Sequence, residues 1–260
     1  MTAPVELPPE WQRGECESIA AERTIPYAVH VPGGAADGGR YAVLFVLHGL
    51  GGDEAHWPLR CPTLLPTLAE SGLNLIVVSP GVGPTFYMRT PRGDLETAIA
   101  RDLVRHIDST LPTIDDPAAR ALMGFSMGGF GSLYLSLRHP GVFGAAAAFS
   151  GALHIGHRTD NLPPQAVPLV EPSPARRLEN DIFHQVAAAP RELLDALRWW
   201  NAVGTEDNLV SINRAFHHFL LAHRVSHEFV EGRGTHSFEF IETQIPAAVD
   251  FIRGALLSAQ

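Results

Sequence analysis

The sequence predicts an α/β protein, a mostly parallel central sheet flanked by helices, on three observations. Short, continuously apolar runs such as Tyr41 to Leu47 (YAVLFVL) read as strands buried on both faces. Amphipathic stretches of helical spacing alternate with those runs, the order expected of a sheet covered by helices. At 260 residues, 45% hydrophobic and 18% charged, the chain can fill one large core and is too apolar for disorder.

Ile25 to Val31 is the early strand, antiparallel to the rest and ended by Pro32 and a turn-rich segment. Tyr41 to Leu47, Asn74 to Ser79, Arg120 to Phe125, Ala145 to Ser150 and Trp199 to Val203 follow as the parallel set, with Ser226 to Val230 as a late member. Between them, Asp94 to Leu111 sets Leu95, Ile99, Leu103 and Ile107 four apart on one helix face and stops at Pro112. Met127 to Arg138 is a helix rich in small residues, stopped by His139-Pro140. Ser211 to His223 repeats the amphipathic design with Ile212, Phe216, Phe219 and Leu220. Pro246 to Leu257 closes the chain, with Pro246 at the first helical position, where its missing N–H matters least. No internal repeat interrupts this order, and a single domain over residues 1–260 is expected.

Residues 152–198 break the rhythm. They are longer than one crossover needs and hold a Pro-rich run, LPPQAVPLVEPSPARR, before a helix around Pro190 to Leu197. Loops that follow the C-terminal ends of strands gather over the site in open α/β sheets. The segment therefore reads as a small lid-like insertion, with a plain surface insertion as the alternative.

A formal charge of −9 argues against a nucleic-acid partner, which needs a basic face. All 19 basic residues are Arg, which excludes a lysine nucleophile or Schiff base. Cys16 and Cys61 cannot build a disulfide framework, and no Cys/His cluster has zinc spacing, so no metal and no cofactor is expected. A single Cys16–Cys61 bridge stays open. Met1 to Trp11 lacks the apolar core of a signal peptide, and Gly144 to Phe149 is too short to span a bilayer. A cytoplasmic protein with no membrane span is expected, and a homo-oligomer is left open.

Gly124-Phe125-Ser126-Met127-Gly128 matches the nucleophile elbow G-x-S-x-G. A strand must turn sharply into a helix there, so that the serine hydroxyl stands free at the sheet edge, and the flanking glycines make the room. About one chain in ten or twenty of this length carries the pentapeptide by chance, so its setting between a strand and a helix decides its meaning. Serine needs a base, and the base needs an orienting acid, in chain order Ser, acid, His. His236, in the loop Gly232 to His236 before the last helix, has the right place among 13 histidines. The acid follows the strand Trp199 to Val203 in Gly204-Thr205-Glu206-Asp207-Asn208, where Asp207 is favoured over Glu206 as the shorter carboxylate. An oxyanion needs two backbone donors. Met127, just after the serine, is one, and the glycine loop His48 to Gly52 supplies the other, at Leu50 first and Gly51 second. His48 reads as a packing residue that orients this loop. Trp57, Phe86, Tyr87, Met88 and Phe149, with Gly51, lie near the same edge and are candidate substrate contacts.

These residues resemble the esterase D-like group of α/β-hydrolases, which includes S-formylglutathione hydrolases, tributyrin-type carboxylesterases, feruloyl esterases and antigen 85 mycolyltransferases. The resemblance is carried by LHGLGGDEAHW (47–57), GDLETAIARDLVRHID (93–108), GFSMGGFGSLYLSLRHPGVFGAAAAFSG (124–151), GTEDNL (204–209) and GTHSF (234–238). It implies an α/β-hydrolase fold, Ser126, Asp207 and His236 as triad, and Leu50 and Met127 as oxyanion donors. The chain departs from the group at His236-Ser237-Phe238 and at Gly81-Val82-Gly83-Pro84. The expected activity is hydrolysis of a small-molecule ester with a short acyl chain. Acyl transfer by the same triad and S-formylglutathione hydrolysis are the enzymatic alternatives, and a non-catalytic binding module is the rival outside enzymes.

Overall fold

The apolar run at the head of the sequence reading is β3 (Ala42–Leu47), near the middle of an eight-stranded sheet. The computed structural model of the chain describes residues 5–33, 38–90, 93–155 and 178–257. The sheet runs β1 (Gln12–Ser18), β2 (Arg23–His30), β4 (Leu75–Pro80), β3, β7 (Arg120–Phe125), β8 (Ala145–Phe149), β9 (Trp199–Gly204) and β10 (Glu228–Gly232). From β4 to β10 every pairing is parallel, while β1–β2 and β2–β4 are antiparallel. A two-stranded ribbon of β5 (Arg89–Thr90) and β6 (Gly93–Asp94) stands apart from it.

Alternation along the strands sorts side chains to two faces. Val43, Phe45 and Leu47 of β3 pack with Phe130 and Leu133 of α5 (Met127–Arg138) and with Phe216 and Leu220 of α8 (Val210–Ala222). Leu44 and Val46 face the other way, into a second core with Trp57 of α1 (His56–Arg60), Leu64 and Leu68 of α2 (Leu64–Glu70), and Ile241 and Val249 of α9 (Phe238–Leu257). Strands buried on both faces have no polar positions to alternate, hence their continuous apolar runs.

The long helix before β7 is interrupted by a π segment. α3 (Leu95–Thr97) and α4 (Val104–Thr110) flank a π-helical stretch at Ala98–Leu103. Residues four apart on an α-helix drift about 40° per step, and the wider π turn takes some of that drift back. Leu95, Ile99, Leu103 and Ile107 are thereby all fully buried on the sheet.

Four elements depart from the expectations. β1 (QRGECES) has no apolar run, yet it pairs with β2 along its length, turning only Cys16 and Ser18 inward. The short helices α1 and α2 carry prolines and too few residues to show a period. The last helix starts at Phe238 rather than Pro246, which lies inside it. An internal proline costs about 3 kcal/mol; here Phe240, Ile241 and Ile245 before it, and Val249 and Ile252 after it, bury one continuous stripe that offsets that cost.

Of the 152–198 insertion, the described part holds α6 (Ile182–Ala188) and α7 (Arg191–Ala196), and Pro190 caps the latter instead of joining it. Asp181 is buried and caps α6 through the N–H groups of Phe183 and His184. The Pro-rich run at 162–177, with the lid expected there, lies outside the described residues. Cys16 and Cys61 are both free and buried, and burial raises their thiol pKa values to about 11 and about 12. No described helix is long and apolar enough to cross a membrane.

Candidate active site

Strand register brings the site together. Leu47 of β3 pairs with Gly124 of β7, Phe125 with Phe149 of β8, and Gly204 of β9 with Gly232 of β10. The glycine loop, the elbow, the acid turn and the His236 loop therefore leave the sheet at the same edge.

Ser126 sits between β7 and α5 at φ 57°, ψ −111°, a conformation that an L-residue adopts only under constraint. Its N–H donates to Phe149 O at 2.9 Å, and its carbonyl accepts from Phe130 and Ala152 N–H at 3.0 Å each. The glycines are sterically required: a Cβ on Gly124 would strike the Gly128 carbonyl, and one on Gly128 would strike the carbonyl of Leu47. A sharp turn held at both ends points the serine away from the helix it starts.

His236 follows β10. Its Nε2 is 3.0 Å from Ser126 Oγ, and its Nδ1 is 2.9 and 3.1 Å from the two carboxylate oxygens of Asp207. Asp207 is buried, whereas Glu206 points outward toward Arg233 and is mostly exposed. Burial pushes the Asp207 pKa up. Hydrogen bonds from His236 and from Leu209 N–H (2.7 Å), with the nearby Ser150 hydroxyl, outweigh it and hold the carboxyl below its usual range. Gly204 lets the two loops close on each other, because a side chain there would meet the backbone of Gly234.

Leu50 and Met127 both line the cavity beside Ser126, and among the described residues neither backbone N–H is donated to another group. The loop that carries Leu50 is clamped from behind. His48 is fully buried; its Nδ1–H donates to Gly49 O at 2.8 Å, and its Nε2 accepts from Val82 N–H at 3.2 Å. Burial lowers its pKa to about 4, so it stays neutral and keeps that donor–acceptor pattern. Trp57 Nε1 donates to Leu47 O, and Tyr87 Oη donates to His48 O.

A cavity of about 310 Å³ opens above Ser126, lined by Leu50, Phe86, Phe125, Ile155, Leu209 and His236 among others. Of the expected substrate contacts only Phe86 lines it. Trp57, Tyr87, Met88 and Phe149 are fully buried in the two cores, and Gly51 also lies outside the lining. Large aromatics at strand ends fill the core before they reach a pocket, and the indole N–H of Trp57 and hydroxyl of Tyr87 serve the loop instead.

His56, Asn208 and His154 also line the cavity, and no sequence motif pointed to them. Asn213, equally unexpected, is a fully buried residue of α8 whose amide donates to Gly151 O and Leu209 O and so ties the end of β8 to the Asp207 turn. A polar residue on the apolar face of Ser211 to His223 was the available signal. Among the described residues no three His, Cys, Asp or Glu side chains form a metal-binding group.

A mostly parallel sheet covered on both faces, with a strand–serine–helix turn at its centre, defines the α/β-hydrolase class. Within it, the Esterase family model matches residues 18–244, and the chain belongs to that family. A ferulic acid esterase superposes with a TM-score of 0.83 at 23% identity, covering 95% of this chain and 98% of that one. An S-formylglutathione hydrolase from Staphylococcus aureus gives 0.80 at 18%, covering 93% and 98%. An endo-1,4-beta-xylanase/feruloyl esterase of Xylanibacter ruminicola is 28% identical over 125 residues, 45% of this chain but only 17% of that longer protein.

Proposed function

We propose that the protein is a serine carboxylesterase for short-chain acyl esters, working through an acyl-enzyme. The observation that carries this reading is the continuous hydrogen-bonded line from Asp207 through His236 to Ser126.

Ser126 Oγ attacks the ester carbonyl as His236 Nε2 takes its proton. Asp207 holds the ring with Nδ1–H toward itself and stabilises the imidazolium that forms. The carbonyl oxygen becomes an oxyanion and accepts from the N–H groups of Leu50 and Met127. His236 then gives its proton to the departing alcohol and takes another from water; the hydroxide attacks the acyl carbon, and that proton returns to Ser126 Oγ as the acid leaves. No step draws on a metal or an organic cofactor, and the cytoplasmic location expected from the sequence belongs to this reading.

A cavity of about 310 Å³ is at the small end for ligand sites and favours a small acyl group. Each buried methylene adds about 0.8 kcal/mol, or roughly fourfold in kcat/KM until the space is full. Activity on p-nitrophenyl esters should therefore peak at about two to six acyl carbons, by that reasoning. A steady rise through twelve carbons, or activation at a lipid interface, would contradict it. Phe86 and Phe125 in the lining favour a second reading, an aromatic acyl group like that named for the ferulic acid esterase, so a hydroxycinnamoyl ester belongs in the same panel.

A further inference from the structure

His56 opens α1, four residues past Gly52, and lines the cavity with Ser126 and His236. Its ring stands edge-on to Phe238, with centroids 4.9 Å apart. Phe238 packs at 5.3 Å on Phe125, which itself covers the His236 ring. This run of rings sets His56 on the His236 side of the serine. In the mechanism above that is the side from which the alcohol leaves, because His236 is the group that protonates it.

The two nitrogens of His56 have different surroundings. Nδ1 is buried, facing Gly52, and has no hydrogen-bond partner among the described residues. Nε2 is the nitrogen left to meet the cavity. Burial first, and Arg60 second, hold the ring below the ordinary imidazole range against the opposing pull of Asp53. A neutral imidazole has a single N–H. On Nδ1 it would be a buried donor with no acceptor, an arrangement that carries the full cost of desolvation. A proton on Nε2 points a donor into the cavity and spares Nδ1 a buried, unpaired N–H.

We propose that His56 Nε2–H is a specificity-determining donor for the alcohol half of the substrate, selecting leaving groups with an acceptor oxygen close to the ester. The inference rests on the esterase reading of Ser126. It adds a polar requirement beside the apolar part of the lining, Leu50, Phe86, Ile155 and Leu209.

n-Butyl butyrate and 2-methoxyethyl butyrate test it, since they differ only by an ether oxygen in place of one methylene of the alcohol. The ratio of their kcat/KM values is read in the wild type, in His56→Phe, which keeps a ring against Phe238, and in His56→Gln, whose amide can donate from a similar position. Comparing ratios between variants cancels the intrinsic reactivity of the two esters. The wild type should favour the methoxyethyl ester about threefold to tenfold more than His56→Phe does, the worth of one hydrogen bond, and His56→Gln should keep most of that preference. If His56→Phe does not fold, His56→Leu gives the same comparison. One common ratio across the set overturns the role of His56 when fluorophosphonate still labels Ser126. Failure of the wild type to label overturns the esterase reading with it.

Discussion

Phe125 packs on the His236 imidazole, with ring centroids 4.6 Å apart and planes tilted by 35°. The residue that precedes the serine thus also shapes the seat of His236. Phe238 closes the same seat at 5.3 Å from Phe125, and Trp57 backs Phe238 at 5.6 Å. His236 is aimed by Asp207 along one edge and held in plane by Phe125 against one face.

Phe125→Leu keeps an apolar side chain but removes the ring face. The imidazole gains freedom to tilt off the line to Ser126, and small misplacements of catalytic groups can cost up to about 10²-fold. The expected result is a kcat about tenfold lower with KM nearly unchanged. A KM effect with normal kcat would place Phe125 in substrate binding instead.

The acid turn gives a sharper contrast. Asp207→Asn should reduce kcat by about 10⁴, as neutralising a triad carboxylate does. Glu206→Gln should cost less than about tenfold, since Glu206 pairs with Arg233 at 3.5 Å and is mostly exposed. Reversed effects in steady-state kinetics would make Glu206 the acid.

This part of the site was legible because its parts are local. The elbow is five consecutive residues, and Asp207 and His236 each follow a strand whose register sets them at one edge. The pocket was not legible, because which aromatic reaches a cavity depends on packing between distant segments. Trp57 and Tyr87 were expected at the substrate and instead hold the carbonyls of Leu47 and His48 from behind. The same limit hid β1, an edge strand that needs only Cys16 and Ser18 turned inward, and the true start of α9, where Pro246 obscured a stripe that runs through it.

A buried carboxylate away from the site sets part of the acid stability. Glu96 accepts from Tyr134 Oη at 2.9 Å, Arg138 Nε at 3.0 Å and His139 Nε2 at 3.0 Å, fastening α3 to the far end of α5. Burial raises its pKa, but these partners outweigh burial and leave it below the ordinary value. A depressed carboxylate contributes stability that is complete above its unfolded pKa, about 4.3, and is lost as pH falls through the folded value. Glu96→Gln should therefore unfold at lower urea than wild type at pH 7, by about 1–3 kcal/mol for a buried charged partner lost. The gap should narrow as pH drops below about 4.3. A gap that stays constant with pH would show that the charge of Glu96 contributes nothing.

Gly128→Ala tests the close approach at the elbow. A Cβ there runs into the carbonyls of Leu47 and His48, both backbone atoms that cannot swing aside. Overpacking of this kind costs about 1–3 kcal/mol or more, so a lower thermal midpoint and a loss of activity are expected together. A stable, fully active Gly128→Ala protein would mean that β3 and the elbow are farther apart than described.

The central claim is that Ser126 is the nucleophile, aligned 3.0 Å from His236 Nε2. The direct measurement is intact-protein mass spectrometry after exposure to a fluorophosphonate, with peptide mapping of the adduct, alongside ester turnover. The wild type should gain one adduct, on Ser126. Ser126→Ala should gain none and lose about 10³ to 10⁶-fold in kcat while keeping its thermal midpoint. An adduct that persists in Ser126→Ala, or maps to another residue, would contradict the account.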